Sequence, residues 1–168
     1  IVHNVASGAG EGREKGDTNR IYELVWNTTA GADPNAEFVT VGVQHIYFWK
    51  IAGRSLSKTR GTLGKAGEMQ AFLSVVCTTD LALVATKSGA VYAFKGGKMA
   101  SAIPAHSGMC TTLAFTTLED GGPRLVSGGA DGIVNVWDAT TLGSKAPRKV
   151  DTFDFFKIDP SATGKNGV

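Results

Sequence analysis

LVSGGADGIVNVWD, Leu125 to Asp138, reads as two strands joined by a tight turn, the second ending on the pair Trp137-Asp138. Thirty-one residues upstream of Trp137 stands His106, in the turn Ala105-His106-Ser107-Gly108. Ser127 lies on the first strand, Asp131 in the tight turn and Trp137 on the second strand. Four polar or amphipathic side chains are thus spaced across one stretch that is otherwise apolar. The rest of the chain is punctuated in the same way, with short apolar runs between clusters of Gly, Asp, Ser and Pro.

Those runs predict strands near 1–5, 21–28, 38–43, 45–50, 55–59, 69–77, 81–86, 90–95, 98–103, 110–116, 124–128, 133–138 and 149–156. No helical period is sustained anywhere, so the fold class is all-β. HIYFW (45–49), AVYAF (90–94) and IVNVW (133–137) superimpose, their terminal aromatics 45 and 43 residues apart. That period, with the His106–Ser127–Asp131–Trp137 spacing, is the mark of a WD repeat, each repeat a four-stranded blade of a β-propeller. The expected units are a leading strand and Gly-rich loop at 1–20 and blades at 21–60, 61–104 and 105–157. A flexible tail follows at 158–168. GAGEGREKGDTN (8–19) is expected to be a mobile surface loop, and SATGKNGV (161–168) to be unstructured.

Three blades create a physical difficulty. Propellers close with about 4–8 blades, and a blade buries its faces only against neighbours. The chain is therefore expected to be part of a larger propeller and to need neighbouring blades of the parent chain. A second copy is the other way to supply them. The 168 residues carry a formal net charge of +2, 42% hydrophobic residues and 22 glycines, which suits a strand-and-turn protein and points to neither nucleic acid nor an acidic tail. No apolar run approaches the ~20 residues of a membrane helix, and the N-terminus has no signal-peptide pattern. Cys77 and Cys110 sit in apolar runs and read as buried, reduced thiols.

His106, Ser127 and Asp131 superficially suggest a nucleophilic triad. In a blade, however, the His precedes the first strand and the Asp lies between the second and third. The Trp indole, Ser hydroxyl and imidazole then form a buried chain ending on the carboxylate, a structural tetrad. No oxyanion hole or nucleophile elbow accompanies the Ser. Unit two has Phe94 for the Trp and Ser88 for the Asp. Unit one keeps Trp49 but has Val43 at the Asp position and no upstream His, so both are expected to be held by apolar packing alone. Gly8-Ala9-Gly10-Glu11-Gly12 lacks the spacing of a nucleotide loop, and no Gly-Lys pair completes a P-loop. His3, His45 and His106 show no zinc spacing with the cysteines. No cofactor, metal or catalytic residue is expected. One charge feature stands out: from Phe38 to Gly67 there is no acidic residue, while Lys50, Arg54, Lys58, Arg60 and Lys65 cluster. These form either a solvated edge or a contact for an acidic partner.

Three stretches carry a more particular likeness. EFVTVGVQHIYFW (37–49), RGTLGKAGEMQAFLSV (60–75) and AHSGMCTTL (105–113) resemble, in order and spacing, segments of the echinoderm microtubule-associated protein-like family. Leu63 and Phe94 depart from its commoner Phe and Trp. The resemblance implies a tandem pair of propellers in a non-enzymatic scaffold of the cytoplasmic cytoskeleton or ciliary axoneme that binds tubulin, whose acidic tails would suit the basic run. The competing reading is a WD-repeat interaction hub, such as a substrate receptor or assembly scaffold, unrelated to microtubules. Thr140 stands where an adaptor-binding ligase receptor of W-D-x-R type has Arg, which counts against that kind of receptor.

Overall fold

The computed structural model describes residues 2–3, 10–12, 14–27, 37–118, 122–142 and 147–158. Two short strands, β1 (Val2–His3) and β2 (Gly10–Gly12), pair with each other. Then come three four-stranded antiparallel sheets, each a meander in chain order. The first blade is β3 (Ile21–Trp26), β4 (Glu37–Gly42), β5 (His45–Ala52) and β6 (Ser55–Arg60). The second is β7 (Phe72–Cys77), β8 (Ala82–Thr86), β9 (Ala90–Lys95) and β10 (Lys98–Pro104). The third is β11 (Cys110–Leu118), β12 (Gly122–Gly129), β13 (Ile133–Asp138) and β14 (Lys149–Asp154).

The blades stack through their apolar faces. Alternation along each strand sends successive side chains to opposite faces. Val39, Val41 and Ile46 of the first blade thereby meet Phe72, Val75, Val84 and Phe94 of the second. Leu83, Ala85, Val91 and Ile103 of the second meet Leu113, Leu125 and Trp137 of the third. Every blade thus has a forward face, towards the next blade in chain order, and a backward face. The innermost strands β3, β7 and β11 also share a β-bulge, leaving Tyr22, Leu73 and Thr111 as extra residues before the pairs Glu23–Val41, Ser74–Ala85 and Thr112–Gly128. Repetition of the bulge is the backbone counterpart of the sequence repeat.

The sequence reading and the structure differ in places. Part of the Gly-rich stretch 8–19 is the strand β2, and residues further along it are fastened to the first blade. Tyr47 Oη donates to Asp17 Oδ2 at 3.1 Å, and Lys58 Nζ donates to the carbonyls of Lys15 and Gly16. The last strand stops at Asp154 instead of 156. There the Asp154 carboxylate accepts from the Phe156 and Lys157 N–H groups at 3.2 and 3.3 Å and starts a single helical turn, α1 (Phe155–Ile158). Asp138 of the Trp-Asp pair does the same for a 3-10 turn over Ala139–Thr141, accepting from the Thr140 N–H at 3.0 Å. The expected tail at 161–168 lies outside the described residues.

Both cysteines are free. Burial pushes the Cys77 thiol up to about 11, and burial with the Asp131 charge pushes Cys110 up to about 12. Among described side chains, Phe72 is fully buried at the seam of blades one and two. Phe72→Ala is expected to cost about 3–5 kcal/mol of stability, through lost transfer energy plus the cavity left behind. Chemical denaturation followed by tryptophan fluorescence measures it. A cost under 1 kcal/mol would show that the seam does not hold the blades together.

Candidate functional site

The polar chain of the third blade is continuous. Trp137 Nε1 donates to Ser127 Oγ at 3.0 Å, Ser127 Oγ lies 2.9 Å from His106 Nε2, and His106 Nδ1 lies 3.0 Å from Asp131 Oδ1. An indole can only donate, and a carboxylate can only accept. Every proton finds an acceptor when the Ser hydroxyl donates to Nε2 and the imidazole carries its proton on Nδ1. Ser127 is fully buried, so its hydroxyl is closed to a substrate carbonyl. Gly129 makes room for the network: a Cβ there would collide with the His106 ring and the Asp131 carboxylate.

Asp131 holds more than the imidazole. Its oxygens also accept from the Ser107 N–H at 3.0 Å, the Ser107 hydroxyl at 3.3 Å and the Ile133 N–H at 3.2 Å. Burial raises the Asp131 carboxyl, but the Ser107 and Ile133 N–H groups and the His106 ring outweigh it. The net position is below the ordinary 3.8. Asn135, which the sequence reading passed over, extends the network outward. It is buried, donates from Nδ2 to the Ala105 carbonyl at 2.9 Å and accepts from Thr152 Oγ1 at 2.8 Å. The signal was available: Asn135 is the polar interruption in the apolar strand IVNVW.

The first two blades are not held by apolar packing alone. In the first, Trp49 Nε1 donates to Thr40 Oγ1 at 2.9 Å, with Thr40 at the register position of Ser127. Val43 supplies no carboxylate, and the β4–β5 connection is only Val43-Gln44, with Gln44 at φ 57°. The acid comes from Asp17 instead. Its Oδ1 lies 3.8 Å from Nδ1 of the fully buried His45, whose ring stacks on Tyr47 with centroids 5.5 Å apart. Relative to the third blade, acid and imidazole have exchanged places: Asp17 precedes the innermost strand as His106 does, and His45 follows the second-to-third turn. In the second blade Gln70 does this work. Its Nε2 donates to Ser88 Oγ at 3.1 Å and Tyr92 Oη at 3.3 Å, while Oε1 accepts from the Ser88 N–H at 2.7 Å.

The five basic residues do not form one patch. Lys58 lies over the Tyr47 and Trp49 rings, 5.1 and 5.5 Å from their centroids, and Arg60 Nη2 donates to the Gln44 carbonyl at 2.8 Å. Lys50, paired in register with Ser57, points to the opposite sheet face from Lys58 and Arg60. Arg54 and Lys65 are exposed beyond opposite ends of β6, a strand about 20 Å long. A cleft of about 560 Å³ lies between the first and second blades, at the strand ends opposite the His106 turn. Phe38, Phe48, Trp49 and Phe94 line it, with Lys50, Lys95 and Asp80 among its polar residues.

No family model matches the chain. Among solved structures it is similar to the β-propeller domain of Cps50 (Swd1) from Myceliophteria thermophila, with a TM-score of 0.71 and 16% identity over 90% of this chain and 50% of that one. It is also similar to the computationally designed Ika4 protein, with a TM-score of 0.64 and 19% identity over 88% and 81% of the two chains. The chain spans about half the length of the natural protein it matches. At these identities the likeness is one of fold: the three sheets are blades of a WD-repeat β-propeller.

The Asp131 network makes a pH-dependent prediction. A carboxyl whose pKa is lower folded than unfolded stabilises the fold above the unfolded value, and that contribution is lost as pH falls through the folded value. Stability should therefore fall on the acid side of about pH 4. Asp131→Asn should flatten part of that acid limb, and Ser127→Ala should cost about 1–3 kcal/mol at neutral pH by leaving the indole N–H without its acceptor. Melting temperature against pH tests both. An acid limb unchanged in Asp131→Asn would remove the network from the balance of stability.

Proposed function

We propose that this chain is part of a non-enzymatic, microtubule-associated β-propeller scaffold that meets acidic tubulin segments through exposed cations of its first blade. The observation that carries the reading is the absence of any acidic residue from Phe38 to Gly67, a stretch that carries five cations. Exposed cations on a sheet edge attract polyanionic segments at long range without a shaped pocket. The likeness of 37–49, 60–75 and 105–113 to the microtubule-associated family adds the particular partner.

The structure narrows which cations are suited to that contact. Lys58 and Arg60 are committed to aromatic rings and backbone carbonyls, whereas Arg54 and Lys65 are exposed on either side of them. Lys50 stands apart from them, on the other sheet face and in the lining of the cleft between the first two blades. A second reading, a general protein-interaction hub, draws support from the aromatic cleft between the first two blades. Its volume and mixed lining suit an apolar side chain on a partner peptide.

Co-sedimentation with polymerised tubulin separates the two. The variant with Arg54 and Lys65 both changed to Ala should bind several-fold more weakly at low salt and lose much of its salt dependence. Lys58→Ala should act mainly on stability. Binding and salt dependence unchanged in the double variant would dismiss the electrostatic contact, and absence of binding by the unaltered protein would favour the hub.

A further inference from the structure

Neighbouring blades are fastened at their innermost strands. Glu23 of β3 accepts from the Val75 N–H of β7 at 2.6 Å, and Ser74 of β7 accepts from the Leu113 N–H of β11 at 3.2 Å. Between the first and second blades the outer strands stand further apart. Ser57 and Thr59 of β6 are opposite Lys50 and Phe48 in register, on the face turned towards the second blade. These small side chains, with Gly96 and Gly97 across from them, leave open the cleft of about 560 Å³. Its walls are two adjoining blades of the chain, so its opening depends on no blade beyond them.

The cleft combines an apolar floor with a cationic mouth. Phe48 and Phe94 lie in the floor with ring centroids 5.8 Å apart, and Leu81 extends it. Lys50 lines the wall of the first blade and Lys95 that of the second. Lys95 is paired in register with Lys98 across the Gly96-Gly97 turn, whose glycines take φ 55° and 77°, the positive pair that a two-residue hairpin turn requires. Like charges set directly opposite on neighbouring strands are destabilising. Both lysines are exposed, and neither is in a salt bridge with a described acid. Asp80 is the one acid among the described lining residues.

Resting on the reading of this propeller as a protein-interaction hub, we propose that the cleft takes an extended acidic segment of a partner. One bulky apolar side chain of that segment enters against Phe48 and Phe94, while flanking carboxylates meet Lys95 and Lys98 on one wall and Lys50 on the other. An apolar ligand alone would leave the paired lysines repelling each other, and an anion alone would leave the aromatic floor in water. Burial of the side chain supplies affinity, and the carboxylates supply attraction at a distance and choice of partner. A nucleic-acid strand fits less well, because Asp80 at the rim would oppose its phosphates.

Fluorescence anisotropy of the full-length protein with a labelled peptide, glutamates around one central phenylalanine, tests the cleft. Binding should weaken as salt rises. Alanine at the centre should weaken it about 10-fold, and glutamines in place of the glutamates should remove the salt dependence. Ser57→Trp, which fills the cleft from an exposed position, and Lys95→Glu with Lys98→Glu should each weaken binding several-fold. Cys77 lines the cleft, so its alkylation, read by mass spectrometry, should slow when the peptide is bound. Circular dichroism checks that Ser57→Trp is folded; if it is not, the charge reversal and Cys77 decide the matter. Binding that the variants leave intact, with Cys77 unprotected, would overturn the cleft assignment and leave the hub reading standing on another surface. No binding, or equal binding of the alanine peptide, would overturn the proposal, and tubulin co-sedimentation then judges the hub separately. Cys77 shielded without peptide would show the cleft filled by the chain itself, or by a second copy where shielding rises with concentration. That outcome, or displacement of the peptide by a single-stranded oligonucleotide, would also overturn it.

Discussion

A four-stranded sheet with apolar side chains on both faces cannot satisfy itself in water, and nearly every other feature of this chain answers to that constraint. Alternation gives each sheet two faces. Burial then requires a neighbour on each side, and the neighbour must present the matching face at the matching height. The repeat period, the shared bulge in β3, β7 and β11 and the bonds from Glu23 and Ser74 to the following strand all set that height. The middle blade, covered on both sides, shows the outcome: β8 is buried along its whole length.

Face stacking alone does not fix the connection that enters each innermost strand, and here the three blades part company chemically. Each ties that connection to the turn between its second and third strands with a different polar set, and in the first blade His45 Nε2 is left buried without a partner among the described residues. The third blade uses an imidazole–carboxylate pair on a Ser and an indole. The second uses the two-headed amide of Gln70, which both donates to and accepts from Ser88. The first reverses the acid and the imidazole: its turn, Val43-Gln44, holds no acid, and Asp17 supplies one from the entering segment. One topological requirement thus admits three polar solutions, which is why repeats can drift in sequence without losing the fold.

That drift sets what the sequence can reveal. Strand positions were legible because apolar alternation and turn residues are local signals, and the third blade was legible because its four network members sit at a recognisable spacing. The Asp17–His45 arrangement was not, since nothing local links a Gly-rich entering segment to a strand 28 residues later. Thr40 was passed over because a Thr in a strand is ordinary until an indole N–H is seen pointing at it. Gln70 was hidden for the same reason. The basic run was legible as charge but not as geometry. Alternation across β5 and β6 divides it between two faces, and packing on Tyr47 and Trp49 withdraws Lys58 from solvent.

Surface left over after stacking is where a partner can act, and this chain offers two chemically different kinds. Cations on the first blade act at a distance and tolerate varied partners, while the inter-blade cleft accepts one side chain at a time. Both lie away from the polar chain of the third blade, whose hydroxyl, imidazole and carboxylate are committed to one another and to the Trp137, Ser107 and Ile133 N–H groups. The fold can therefore change partners without disturbing the bonds that hold that blade together.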